Sequence, residues 1–280
     1  SGGGTTVRTV TIKRDSVAPT AMLQTSPAPS GGYWYNTAVT VSFACQDATS
    51  GVASCPAAQV LNGEGTSGSA SKPVVDAAGN SAMSAITYVW IDRTPPALSP
   101  QVGNGVVLLN AAATASAGAS DALSGLASQG CAVPSTASVG TRTVACSARD
   151  VASNEATASA SYRVVYPWQG FTGAVANPNT LNVFKAGRAI PFQWRLLDAN
   201  GQPVGNLGSA SISSVGITCP GGAALNRIST YGGSSTQLRN LGNGYYALDW
   251  PAASGYRGTC RRLDLSLGDG EVHSALFQFN

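Results

Sequence analysis

Asp47-Ala48-Thr49-Ser50-Gly51-Val52-Ala53-Ser54 returns 74 residues later as Asp121-Ala122-Leu123-Ser124-Gly125-Leu126-Ala127-Ser128. Asp76-Ala77-Ala78-Gly79-Asn80 returns at the same offset as Asp150-Val151-Ala152-Ser153-Asn154. Two unrelated motifs recurring at one spacing mark a duplicated domain. The junctions repeat as well. Arg14-Asp15-Ser16-Val17-Ala18-Pro19 answers Ile91-Asp92-Arg93-Thr94-Pro95-Pro96, and proline, lacking an N–H and fixed in φ, ends a strand and marks a boundary.

Between these marks, apolar and polar residues alternate with the period of a half-buried strand. Val39-Thr40-Val41-Ser42-Phe43, Ile86-Thr87-Tyr88-Val89-Trp90, Arg142-Thr143-Val144-Ala145-Cys146 and Ser159-Ala160-Ser161-Tyr162-Arg163-Val164 all read this way, with turn residues between them. Short strands at such spacing predict Ig-like β-sandwiches over 16–93 and 94–166. From Tyr166 the 74-residue motifs stop and aromatics concentrate: Trp168, Phe171, Phe184, Phe192, Trp194, Tyr245, Tyr246, Trp250 and Tyr256. Arg261–Leu267 and Glu271–Phe279 alternate on either side of the turn Gly268-Asp269-Gly270, as in a hairpin. A third, different sandwich is therefore expected over 167–280. Residues 1–15 remain. Ser1-Gly2-Gly3-Gly4 reads as linker, and Thr5–Asp15 stands where Ala85–Asp92 stands in the first repeat, as a last strand whose own domain is not in this chain. The expectation is an all-β chain of three tandem β-sandwich domains, two of them Ig-like, with an extra N-terminal strand over 5–14.

Composition agrees. Of 280 residues 43% are hydrophobic, enough for a sizeable core, and Lys and Glu number only three each, so strong helix formers other than Ala are scarce. The charged fraction is 10% with a net charge of +3, against about 25% charged in ordinary soluble domains. Phosphate recognition needs a concentrated field of Lys and Arg; the scattered cations argue against nucleic acid or acidic lipid as partner. No stretch approaches the roughly 20 apolar residues of a membrane span, and no charged n-region followed by an apolar h-region opens the chain.

Six cysteines stand at 45, 55, 131, 146, 219 and 260. Each expected domain holds two, giving the pairs Cys45–Cys55, Cys131–Cys146 and Cys219–Cys260. Zinc sites want short Cys-x-x-Cys hooks or His partners, and the chain has a single His. Disulfides are the better account, and they imply export to an oxidising compartment.

Residues 19–96 resemble bacterial Ig-like repeats of secreted and surface proteins, through Val39–Asp47, Ser50-Gly51-Val52-Ala53-Ser54-Cys55-Pro56, Glu64-Gly65, Asp76-Ala77-Ala78-Gly79-Asn80 and Ile91–Pro96. Residues 167–280 resemble the C-terminal module called the PxKF domain, through Gly170-Phe171, Asn182, Lys185-Ala186-Gly187, Pro191-Phe192-Gln193-Trp194 and Gly258–Leu263. Here Gln193 and Trp194 replace the Lys and Phe of that name. The resemblance implies an extracellular or bacterial cell-surface location and a role as spacer, adhesion unit or accessory to polysaccharide-active enzymes. It carries no catalytic residues.

Three kinds of site can be weighed. Catalysis has little to work with: His273 lies in an alternating strand, the cysteines are spoken for, and most aspartates sit beside Gly, Ser or Asn as turn residues do; the reading is not an enzyme. Calcium has a physical case in Asp47, Asp76, Asn80, Asp92, Asp121, Asp150 and Asn154, with Asp15 beside them, since hard oxygen donors recur at domain ends. The Ig-like repeats of giant bacterial adhesins hold calcium between domains with Asp in such positions, which the resemblance extends to these residues. The competing reading is that Asp and Asn bond their own turns and need no metal. Carbohydrate has a case in Tyr33-Trp34-Tyr35, three aromatics after a Gly-Gly turn on which a flat sugar face could pack; the competing reading, a buried plug at the end of the sandwich, is the commoner use of aromatics. The chain thus reads as an extracellular, non-catalytic structural or adhesive module, a stalk, spacer or filament unit whose partners are copies of itself or adjoining domains of a longer chain. The alternative is a carbohydrate-binding accessory region of a secreted polysaccharide-active enzyme, with extracellular polysaccharide as partner.

Overall fold

A computed structural model describes residues 2–176, 180–219, 224–229 and 238–280. The chain is all-β, built from short antiparallel strands with a few parallel pairs, and it divides into two compact units. The first holds the residues up to Leu98 together with Ala119–Gln129 and Ser147–Ala156; the second holds Ser99–Gly118, Gly130–Cys146 and Thr157–Asn280. Residues 16–93 thus lie in the first and 167–280 in the second, and 94–166 contribute to both.

In the first unit the strand Val39–Gln46 runs between Thr20–Ser26 and Gln59–Leu61, antiparallel to both. A second sheet centres on Tyr88–Ile91, which pairs in parallel with Trp34–Tyr35 and antiparallel with Gly65–Gly68. Strand side chains alternate between faces, so Val39 and Val41 from one sheet meet Val89 and Ile91 from the other, and Tyr35 and Leu61 close a small buried core. A core this small gains from a staple. Cys45–Cys55 supplies one, tying the end of Val39–Gln46 to the segment beyond the strand Val52–Ser54 at a Cα separation of 5.9 Å. That strand belongs to a third sheet with Pro73–Asp76 and Ser81–Met83.

The second unit has the larger core. One sheet orders Trp168–Thr172, Ala189–Leu196, Tyr245–Pro251 and Arg239–Gly242; the other orders Leu181–Phe184, Val272–Phe279, Cys260–Ser266, Ser211–Ile217 and Ala224–Ser229. Ile190, Phe192, Trp194 and Leu196 alternate inward from the first, and Ala275, Phe277 and Phe279 from the second. The faces interlock through rings: Phe277 lies 5.5 Å from Phe192 and 5.7 Å from Trp250, centroid to centroid. Val102, Leu109, Val144, Tyr162, Val164 and Tyr166 join the same core. The expected hairpin forms, Cys260–Ser266 pairing antiparallel with Val272–Phe279. Its buried turn residue Asp269 accepts the amides of Tyr166 at 3.1 Å and Glu271 at 3.0 Å. The disulfides Cys131–Cys146 and Cys219–Cys260 complete the expected pairing.

One element expected from the sequence does not form. Residues 5–14 make no strand, and Val7, Val10 and Ile12 are 83%, 77% and 85% exposed. Alternation supplies a strand pattern, but a strand is held only by ladder bonds to a neighbour, and no described strand pairs with this segment.

His273 lies inside the second unit, its ring stacked on Trp168 at 3.8 Å and 12°, with Nε2 buried and without a hydrogen-bond partner among the described residues. Burial lowers its pKa below 6.5, against an opposing pull from Asp269 and Glu271. The unfolded chain therefore binds this proton more readily than the folded one, so the His273 contribution is intact above about pH 6.5 and is lost as pH falls through that value. The melting midpoint is expected to drop between pH 7.5 and 5.5 and the drop to shrink in His273→Gln, as read by calorimetry across that range.

Candidate functional site

The repeated motifs converge into two aspartate nodes, both in the first unit. Asp15, Asp47 and Asp76 form one, and Asp92, Asp121 and Asp150 the other; in each, the three carboxylates present oxygens within 4.8 Å of one another. The loops that place them are wired alike. Asp47 Oδ1 accepts the amides of Ser50 at 2.8 Å and Gly51 at 2.9 Å, and Asp121 Oδ1 accepts those of Leu123 at 3.2 Å and Gly125 at 2.7 Å. These are Asx turns, which fix the carboxylate before any tertiary contact. The second loop is drawn to the first by Ala77 N–H on the Gly51 carbonyl, and by Val151 N–H on that of Gly125, both at 2.9 Å. The junction aspartate then docks: Asp15 Oδ2 accepts the Ser50 amide and Asp92 Oδ2 the Ser124 amide, each at 3.0 Å. Hydrogen bonds from Ser50 and Val17 hold the Asp15 carboxyl below the usual carboxylate range.

Asn80 and Asn154 meet the aspartates at the nodes through their side-chain amides. Each donates Nδ2 to its own aspartate, Asn80 to Asp76 Oδ2 and Asn154 to Asp150 Oδ2, both at 2.7 Å. Nδ2 also donates to junction carbonyls, from Asn154 to Asp92 at 2.9 Å and from Asn80 to Val17 at 3.3 Å. An amide nitrogen has no lone pair for a cation. The asparagines are clamps that bind the junction backbone to the node.

Electrostatically the nodes are out of balance. Asp76, Asp92 and Asp150 are buried, the other three half-buried, and among the described residues no Lys or Arg pairs with any of the six. In the Asp92 node each pair of charges repels by about 3–4 kcal/mol at an effective dielectric constant of about 20, offset in part by the amide donors. The three convergent carboxylates are hard oxygen donors, the class that suits a divalent cation of the calcium kind and not a soft metal. Asp198 makes the contrast. It forms the same turn, accepting the amides of Asn200 at 2.8 Å and Gln202 at 2.9 Å, yet its other oxygen meets the neutral amide of Asn110 at 2.9 Å.

The aromatic triad divides between burial and exposure. Trp34 and Tyr35 are 9% and 6% exposed and serve as the plug, while Tyr33 is 61% exposed. Trp90 packs edge-on against Tyr33 at 5.2 Å, a contact between residues far apart in sequence that alternation alone does not reveal. The turn before them is fixed by close approach. A Cβ on Gly31 would sit 1.9 Å from the Val151 carbonyl oxygen, and Ser153 Oγ donates to the Ser30 carbonyl at 3.1 Å.

No family model matches the chain, and no curated protein matches it. Among solved structures it is similar to the three N-terminal domains of the bacteriophage RB49 outer capsid protein Hoc, at 10% identity over 94% of this chain and 99% of that one, with a TM-score of 0.26. It is also similar to domains 4 and 5 of the S-layer protein SbsC, at 11% identity over 74% and 88% with a TM-score of 0.22. A third likeness is to the Bacteroides ovatus protein SGBP-B in complex with a mixed-linkage heptasaccharide, at 11% identity over 95% and 71% with a TM-score of 0.21. Scores this low carry no argument about function, and the fold assignment rests on the sheets themselves.

Two substitutions separate the clamp from the charge. Asn154→Ala leaves the buried Asp150 Oδ2 without its donor and is expected to cost about 1–3 kcal/mol. Asp121→Asn in calcium-free buffer keeps an oxygen for the loop amides, removes one of three like charges, and is expected to raise stability. Urea unfolding of both variants checks the pair of opposite signs.

Proposed function

We propose that the chain is a non-catalytic, extracellular structural module, a spacer or stalk segment of a bacterial surface or secreted protein, whose two aspartate nodes each hold a calcium ion. The observation that carries this reading is the repetition of one three-aspartate node at two junction aspartates that open onto proline-bearing segments. A cation there would cancel the mutual repulsion of Asp92, Asp121 and Asp150, and of Asp15, Asp47 and Asp76. The junction backbone is bound to the same loops through Ser50, Asn80, Ser124 and Asn154, so ordering the node orders the junction.

Three disulfides support an extracellular setting, because such bonds persist in oxidising compartments. Among the described residues no helix is long and apolar enough to cross a membrane. The scarcity of charge favours a passive surface over an electrostatic docking role.

Calorimetry with and without chelator tests the reading. A site of the weak extracellular class, filled to about 100 times its Kd, adds about 2.7 kcal/mol, which for a domain of this size raises the midpoint by on the order of 10 °C. The rise is expected with calcium and to be roughly halved in Asp92→Asn, which leaves the Asp15 node whole. A midpoint unmoved by calcium or chelator would contradict it.

A further inference from the structure

We propose that Tyr33, Tyr88 and Trp90 form a stacking platform for a neutral β-linked polysaccharide, a surface separate from the aspartate nodes and independent of the calcium reading. Val89 and Ile91 are buried in the core of the first unit, so the alternate residues of that central strand, Tyr88 and Trp90, must face outward. They are 58% and 37% exposed, with Tyr33 at 61% beside them. Large apolar rings in water on the middle strand of a sheet call for an explanation.

The rings are held in place. Tyr88 stands opposite Gly68 in the ladder, and a Cβ at Gly68 would lie 2.9 Å from Tyr88 Cε1 and 3.1 Å from Cδ1. Only glycine lets this ring settle against the neighbouring strand. Trp90 is braced edge-on by Tyr33, whose own ring stacks on the buried Trp34 at 6.0 Å and 27°. Rings fixed before binding lose little entropy when a ligand covers them.

The chemistry of the face selects the ligand. Its residues are Tyr33, Thr66, Gly68, Ile86, Tyr88 and Trp90: aromatic surface, three hydroxyls and no charge. An anionic polymer or a lipid headgroup would want Lys or Arg here. A stable protein interface uses roughly 20–30 residues a side, several times what this face offers. A neutral pyranose presents the matching pair of features, an apolar C–H face to cover a ring and hydroxyls to meet hydroxyls. Tyr88 and Trp90 are two strand positions apart, about 7 Å, close enough for one extended oligosaccharide to cover both rings.

Affinity electrophoresis of the whole chain in gels containing hydroxyethyl cellulose tests this. Retardation is expected for the wild type, weakened about tenfold in apparent affinity by Tyr88→Ala and again by Trp90→Ala, and absent in polygalacturonate gels. Tyr88→Phe, which keeps the ring, is expected to retain it, and unchanged melting of the variants shows that the fold is intact. An unretarded wild type, or a Tyr88→Ala/Trp90→Ala double variant retarded as strongly as the wild type, would overturn the proposal. So would a concentration-dependent dimer abolished by Tyr88→Ala, which would assign the face to a second copy of the chain.

Discussion

Everything at the junctions depends on like charges brought together. Asx turns at Asp47 and Asp121, and Asp76 and Asp150 with their partner asparagines, would be ordinary loop chemistry one at a time. Brought into register by the Ala77–Gly51 and Val151–Gly125 backbone bonds, and joined by Asp15 and Asp92 through the amides of Ser50 and Ser124, they become two clusters of like charge with no Lys or Arg partner among the described residues. Proteins seldom bury carboxylates without pairing them or giving them a metal. The Asp198 loop, where an identical turn faces the amide of Asn110, shows that the turn itself does not demand a cluster.

Much of this was legible in the sequence. The 74-residue offset identified the four loop aspartates, and the proline-flanked junctions identified Asp15 and Asp92. The strands of the C-terminal hairpin followed from strict alternation, and all three disulfides from the placing of two cysteines per expected domain. What could not be read were contacts that depend on orientation. An asparagine offers either oxygen or nitrogen, and only the position of the junction carbonyls decides that Asn80 and Asn154 present nitrogen. Tyr33-Trp34-Tyr35 reads as a single aromatic run, yet Trp34 and Tyr35 are buried in a strand and Tyr33 is turned out. Trp90 enters only because a parallel pairing sets it beside Trp34. The segment 5–14 has the pattern of a strand, but pattern does not supply a partner.

The two units solve the problem of stability differently. In the second, Phe192, Trp250, Phe277 and Phe279 interlock across two full sheets, and burial of large rings dominates. In the first, a handful of aliphatic residues and two aromatics carry the Ig-like core, so a disulfide and the polar wiring of the nodes take a larger share.

The central claim is that each node is a cation site. Counting bound calcium per chain by equilibrium dialysis addresses it directly, using the wild type and the Asp121→Asn variant, which alters one node and leaves the other whole. The account predicts two ions per wild-type chain and one per variant chain. No bound calcium at millimolar concentration, or a stoichiometry that Asp121→Asn leaves unchanged, would contradict it.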